Sequence, residues 1–264
     1  MNIIVCLKQV PDTQDIKWTE KGTMIREGVE SIINPYDEYA LEYALQIKDK
    51  YPKTKITAIS MGPLQAQNIL KIALARGADE AILACDKKFA GADTFATSMT
   101  LAYTIRKFVP NFDLILCGQF AIDGDTAQTA PSLAGHLGIN QVTFVDNLLN
   151  FDEEKISLHK EIDDGFVELE AKYPLVIAVM KSSVKPRKHT IKGYIKAIDT
   201  VVKIVNKDDI GISEELIGFK GSPTYVSKSF APDFKREGEI IEGDNEKISQ
   251  TILSIIDKKS KEGK

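Results

Sequence analysis

Short, continuous apolar runs alternate with stretches of helical periodicity through the first half of the chain, and this alternation limits the fold more than any other feature. The runs are residues 3–7 (IIVCL), 55–61 (KITAISM), 81–84 (AILA) and 113–117 (DLILC). Between them lie residues 35–50, which open on a proline and space Tyr39, Leu41, Tyr43, Ala44 and Leu45 at helical intervals. Residues 64–75, closed by Arg76-Gly77, residues 93–109, opening on Asp93-Thr94, and residues 126–137, closed by Gly138, repeat the pattern. Proline in a first turn and glycine after a last one are helix punctuation. Strands that are apolar on every residue belong to sheets covered on both faces. The sequence therefore predicts an α/β fold, a doubly wound, mostly parallel sheet of Rossmann-like type with helices on both sides.

After Gly138 the pattern changes. Residues 155–161 and 165–171 alternate around Asp163-Asp164-Gly165, the signature of an antiparallel hairpin, and residues 175–180 (LVIAVM) form another buried strand. Beyond Lys185 the chain is basic and less periodic. Residues 222–243 are rich in Pro, Gly and Ser and read as an extended arm, followed by an amphipathic helix over 246–257 with Ile248, Ile252, Leu253, Ile255 and Ile256. The expected division is thus an α/β domain over 1–221 and an arm with its helix over 222–264. The arm has little core of its own and five large aliphatics, so it is expected to pack on a partner subunit.

Composition removes several functional classes. The net charge of −4 gives no reason to expect a nucleic-acid partner. Cys6, Cys85 and Cys117 sit in or beside apolar runs with no CxxC spacing, and there are only three histidines, so a structural zinc site is not expected. Unpaired cysteines fit a reducing compartment. With no apolar stretch long enough to span a bilayer, a cytoplasmic protein is expected.

In parallel α/β sheets, ligands settle beyond the carboxyl ends of the strands. The turn after Cys117 is the most informative of these. It runs through Gly118, Gln119, Phe120, Ala121, Ile122, Asp123, Gly124, Asp125, Thr126, Ala127, Gln128 and Thr129. A glycine at the strand end and a helix N-terminus with two threonine hydroxyls suit a phosphate. The same pattern fits, equally well, a tight turn in which Asp125 caps the helix. Three further loops stand at strand ends or helix starts: Asn34-Pro35-Tyr36-Asp37, Met61-Gly62-Pro63, and Ala90-Gly91-Ala92-Asp93-Thr94. No Ser/His/Asp or Cys/His nucleophile set is legible, which argues against hydrolysis or acyl transfer.

Taken together, these segments resemble the β-subunit of electron-transfer flavoproteins. The likeness covers VCLKQVPDT, INPYDEYALEYAL, AISMGP, ALARGADEAI, LILCGQFAIDGDTAQTAPSLAGHLG and EGDNEK, with AIDGDTAQ the most specific run. The resemblance implies an adenine-nucleotide site built from Cys6, Asn34, Pro35, Tyr36, Asp37, Met61 and the twelve residues of the 118–129 turn. It also implies a heterodimer with a flavin-carrying α-subunit. Family members hold either a structural AMP or a second FAD. The FAD-holding members take a hydride from NADH and bifurcate the two electrons between ferredoxin or flavodoxin and a client dehydrogenase. The segments CDKKFAGADTFATS and GSPTYV resemble the FAD-holding branch, which adds Gly91, Ala92, Asp93 and Thr94 to the expected site, AMP being the alternative.

The resemblance further implies a client-docking loop around residues 183–198. Pro186 and Arg187 match the family pattern, and Ile191 stands where a leucine anchor is usual. Lys185, Lys188 and Ile198-Asp199 depart from it. These departures favour a lactate-type flavin dehydrogenase as client over an acyl-CoA dehydrogenase or reductase, which is the alternative.

Overall fold

Apolar runs too short for helices and flanked by turn residues become the centre of a nine-stranded sheet. The computed structural model describes residues 1–12, 17–18, 24–25, 31–182, 184–227 and 240–262. In chain order the elements begin with β1 (Asn2–Cys6), β2 (Gln9–Pro11), β3 (Lys17–Trp18), β4 (Met24–Ile25), β5 (Ser31–Ile33), α1 (Pro35–Lys50), β6 (Lys55–Met61), α2 (Gln67–Arg76), β7 (Glu80–Ala84) and α3 (Thr94–Phe108). They continue with β8 (Leu114–Gly118), α4 (Thr129–Leu137), β9 (Asn140–Phe151), β10 (Lys155–Ile162), β11 (Gly165–Lys172), β12 (Leu175–Val179), α5 (Ile191–Asp199), β13 (Lys203–Val205), α6 (Lys207–Ile210), α7 (Gly218–Gly221) and α8 (Asn245–Glu262).

The large sheet runs β11-β10-β9-β12-β8-β1-β6-β7-β13. From β9 through β12 to β13 every pairing is parallel, whereas β9, β10 and β11 pair antiparallel. Because side chains alternate across a strand, Ile3 and Val5 of β1 enter one core with Leu41 of α1 and Leu70 of α2. Ile4 enters the other, with Leu101 and Ile105 of α3 and Leu133 of α4. The expected doubly wound, mostly parallel sheet is the observed one.

Four segments differ from the sequence expectation. Helix α4 starts at Thr129 rather than at 126, because Asp125 and Ala127 adopt left-handed backbone, with φ of 49° and 56°, which a helix cannot incorporate. Residues 140–151 form a twelve-residue strand whose mixed burial hides its period. The basic stretch after Lys185 contains a helix, α5, and β13 adds a ninth strand to the sheet. Residues 222–226, expected as part of the arm, fold back instead: the Thr224 N–H and hydroxyl both donate to Asp93 Oδ2, at 3.0 and 2.7 Å.

The chain divides into two compact units, Met1–Ser229 and Phe230–Lys264. Of the expected arm, residues 228–239 lie outside the described residues. In the second unit α8 exposes Ile252, Leu253, Ile255 and Ile256. No helix among the described residues is long and apolar enough to cross a membrane.

Leu70 is fully buried between α2 and the sheet. Leu70→Ala is expected to cost about 2–5 kcal/mol, read as a lowered denaturant midpoint with an unchanged slope.

Candidate functional site

Strand order decides where a ligand can sit. From β1 the chain moves one way across the sheet, to β6 and β7; from β8 it moves the other way, to β12. The turns leaving β1 and β8 therefore diverge, opening a crevice at their carboxyl ends. A cavity of about 580 Å³ occupies that crevice, a volume within the roughly 300–1,000 Å³ of small-molecule sites.

All four loops singled out in the sequence reach this cavity. Cys6, Asn34, Asp37, Met61, Gly91, Ala92, Asp93 and Thr94 line it, as do Gly118, Gln119, Phe120, Ala121, Gly124, Thr126, Ala127, Gln128 and Thr129. Pro35, Tyr36, Ile122, Asp123 and Asp125 are not among its lining residues, and three of them brace residues of the wall. Tyr36 meets Phe120 edge-to-face at 5.5 Å, the Ile122 N–H donates to Asn34 Oδ1 at 3.2 Å, and Asp123 Oδ1 accepts from Lys8 Nζ at 2.5 Å. Of the two readings of this turn, the one in which Asp125 caps α4 is not met: Gln128 stands at the cap position, and no side chain caps the helix.

Sequence reasoning missed Lys8, Ile59, Thr97, Leu101, Cys117 and the run Thr224, Tyr225 and Val226, all of which line the cavity. Thr97 and Leu101 follow Asp93 at intervals of four along α3, a helical spacing that could have found them. Residues 224–226 fall in the GSPTYV segment that the family resemblance singles out, but their place at the cavity depends on the fold-back onto Asp93, which no local pattern signals.

Asp37 ties the site together. Its carboxylate accepts from the Lys8 N–H at 2.7 Å, from Asn34 Nδ2 at 3.0 Å and from the Gly118 N–H at 3.1 Å. Three chain segments, after β1, before α1 and at the end of β8, are thus joined on one side chain. Burial pushes its pKa up to about 7, against the opposing effect of these hydrogen bonds and of the Lys8 charge. Gly118 is required here: a Cβ would overlap Asp37 Oδ1 and lie 2.6 Å from Tyr36 Cβ. Its close approach is to α1 rather than to the cavity. Asn34 reinforces the tie, donating to the Phe120 carbonyl at 2.7 Å as well as to Asp37.

The remaining wall is polar in a directed way. The first-turn N–H groups of α4 at Thr129 and Ala130 have no helical acceptor, and both residues line the cavity with no acidic side chain in that turn. Gln119 is 3% exposed; its Oε1 accepts from the Phe144 N–H at 2.7 Å, which leaves the buried Nε2 without a hydrogen-bond partner. Cys6 and Cys117 stand side by side on β1 and β8. The hydrogen bond to Cys6 and burial hold the Cys117 thiol well above its ordinary range. Partial burial would raise Asp93, but hydrogen bonds from Ala96 and Thr224 hold it below the usual carboxylate value. Gly91 adopts φ of 74° and packs on Phe219, so its turn needs glycine irrespective of any ligand.

These features define a class: a doubly wound α/β protein with a ligand-sized cavity at the sheet's switch point and an uncapped helix N-terminus in its wall. Comparison with known proteins narrows the class. Residues 21–207 match the family described as "Electron transfer flavoprotein domain". The electron transfer flavoprotein subunit beta of Clostridium acetobutylicum is 46% identical over 255 residues, covering 96% of this chain and 97% of the relative. The caffeyl-CoA reductase-Etf complex subunit CarD of Acetobacterium woodii is 44% identical over 259 residues, covering 98% and 97%. The acryloyl-CoA reductase electron transfer subunit gamma of Anaerotignum propionicum is 37% identical over 266 residues, covering 98% and 99%. The chain belongs to the electron transfer flavoprotein family, as a β-subunit.

Asp37→Asn would set an amide N–H₂ against one of three converging donors, and is expected to destabilise the protein by about 1–3 kcal/mol. The wild-type carboxyl, with its pKa raised to about 7, contributes stability that is full below pH ~4 and is lost as pH rises through its folded value. Thermal unfolding of both proteins between pH 4 and 8 checks this: the difference between them should shrink with rising pH.

Proposed function

We propose that this β-subunit pairs with an electron transfer flavoprotein α-subunit and binds FAD in the switch-point cavity. The observation that carries this reading is the convergence of four strand-end loops on one cavity with an uncapped helix N-terminus. The residues present suit the group. The free N–H groups of Thr129 and Ala130, with the Thr126 and Thr129 hydroxyls, would hold its phosphates, and the unpartnered Gln119 Nε2 supplies a fixed donor. When bound, FAD supplies acceptance of a hydride from NADH and division of the electron pair between ferredoxin or flavodoxin and a client dehydrogenase. The chain's own part is to hold the phosphates, to exclude water with the buried Ile59 and Leu101, and to keep the loops in register through Asp37 and Asn34. The three free cysteines are consistent with work in the reducing cytoplasm.

AMP is the second reading, favoured by the left-handed turn at Gly91, which explains that glycine without a flavin. Quantifying cofactors in the purified heterodimer separates the two: two flavins support FAD here, whereas one flavin and one AMP would overturn it.

For the client, the sequence-matched loop becomes a helix with an outward apolar stripe. Ile191, 83% exposed, heads a run continued by Tyr194, Ile195 and Ile198, with exposed Lys185, Lys188, Lys192 and Lys196 around it. An apolar pocket rimmed by carboxylates is its complement. Pro186 is half-buried, and Arg187 turns inward to α1 rather than outward. The names of the Acetobacterium woodii and Anaerotignum propionicum relatives support a reductase of unsaturated acyl-CoA thioesters as client. The loop's departures at Lys185 and Lys188 favour a lactate-type dehydrogenase. Copurification from the native source decides between them. The exposed apolar residues of α8 are assigned to the α-subunit.

Gly124 lines the cavity, and a Cβ on it would meet nothing within 4 Å. Gly124→Phe is therefore expected to leave the apoprotein's melting temperature within about 2 °C while lowering bound nucleotide severalfold, measured by chromatography after denaturation. Full occupancy in a folded variant would count against the assignment. Ile191→Ala is expected to raise the KM for the copurifying dehydrogenase about tenfold, as loss of about 1.4 kcal/mol at an exposed anchor would.

A further inference from the structure

Helix α5 is built the wrong way round for a surface helix. A nine-residue helix is marginal in water, and proteins ordinarily hold such a helix by burying its apolar stripe. Here Ile191, Tyr194, Ile195 and Ile198 are all exposed, at 83%, 54%, 56% and 61%. Among its nine residues only Gly193 and Ala197, one turn apart, are not exposed. That narrow face lies on α2: a Cβ on Gly193 would overlap the carbonyl oxygen of Ala75. Something other than apolar burial must supply the order.

Polar anchors supply it at both ends. At the C-terminal end, Lys71 of α2 extends its ammonium to three carbonyls, those of Ala197 at 2.6 Å, Ile198 at 3.1 Å and Thr200 at 2.5 Å. These are last-turn carbonyls with no helical donor, at the negative end of the helix dipole. At the N-terminal end, the Thr190 hydroxyl accepts from the Gly193 N–H at 3.0 Å. Just ahead of it Arg187 is fixed to α1: its backbone N–H donates to Glu42 Oε2 at 2.8 Å, and its guanidinium reaches both Glu42 and Asp49. Glu42 is 4% exposed. A buried carboxylate held by a bidentate guanidinium and a backbone amide is a rigid fixture.

We propose that Lys71, Gly193 and the Glu42–Arg187 pair are positioning residues, which hold α5 as a preformed docking helix so that its whole apolar stripe faces an acidic-rimmed partner. This rests on the client-docking reading above. None of the four touches the cavity. Their effect is on the fraction of molecules whose α5 is already ordered, and the apparent affinity for the partner scales with that fraction.

The test uses the intact heterodimer with the dehydrogenase that copurifies with it. Lys71→Met keeps the aliphatic stem but removes the ammonium. It is expected to speed amide exchange across residues 194–200 and to raise the KM for that dehydrogenase about fivefold, with kcat and NADH reduction of the heterodimer unchanged. Lys71→Arg, which restores a cation, is expected to recover most of the affinity. Faster exchange in α5 with an unchanged KM would overturn the proposal, as would equal losses in dehydrogenase and NADH kinetics, the mark of a general structural defect. Arg187→Lys provides an independent route to the same loosening, should the first variant fold poorly. Ile195→Ala is measured in parallel: if it too leaves the KM unchanged, the docking reading itself has failed, whereas a raised KM there beside a normal Lys71→Met would fail the positioning proposal alone.

Discussion

One buried carboxylate, that of Asp37, joins the three chain segments that frame the switch-point cavity. β1 and β8 are paired neighbours, but their connections leave in opposite directions, so beyond the strand ends the sheet no longer holds the two loops in a fixed relation. Asp37 supplies that relation by accepting from both loops and from Asn34. Gly118 permits it, since any larger residue would force α1 away from β8. The energetics are those of a desolvated group satisfied by converging donors: removing the group is costly, because three donors, one of them buried, would lose their acceptor together.

The same logic explains why the cavity wall tolerates strain. Asp125 and Ala127 hold left-handed backbone at about 1–3 kcal/mol each, and the Asn34 and Asp37 hydrogen bonds fix the loop just ahead of them, at Gly118, Phe120 and Ile122. The product is a helix N-terminus at Thr129 that no side chain caps. A capped helix would be more stable by about 1 kcal/mol, but its N–H groups would already be satisfied. At the far side, Asp93 serves two masters, capping α3 through Oδ1 and binding Thr224 through Oδ2, and so draws residues 224–226 over the cavity.

Much of this is legible in the sequence. Apolar strands and helix punctuation gave the parallel sheet, and the rule that ligands gather beyond strand ends selected the four loops that line the cavity. Less legible were α5 and the true start of α4. Helix α5 carries helical spacing at Ile191, Tyr194, Ile195 and Ile198; what its sequence hides is the outward direction of that stripe, because its inward positions are Gly193 and Ala197, whose small side chains carry little pattern. The start of α4 was misplaced because left-handed alanine at 127 has no local signature. Arg187, matched as a docking residue, instead faces Glu42 and Asp49 on α1, a partnership separated by well over a hundred residues.

The sequence by itself determined the fold class, the family and the set of loops from which a site could be made, because each depends on local periodicity and short motifs. Only the tertiary structure decided which members of those loops form the wall and which brace it. It also decided that Lys8, Cys117 and residues 224–226 complete the cavity, and that α5 presents its apolar stripe outward. The reason is physical: these outcomes depend on hydrogen bonds and steric limits between segments far apart in the chain, such as Asp37 with Gly118 and Lys71 with Thr200, whose partners become neighbours only once the sheet has formed.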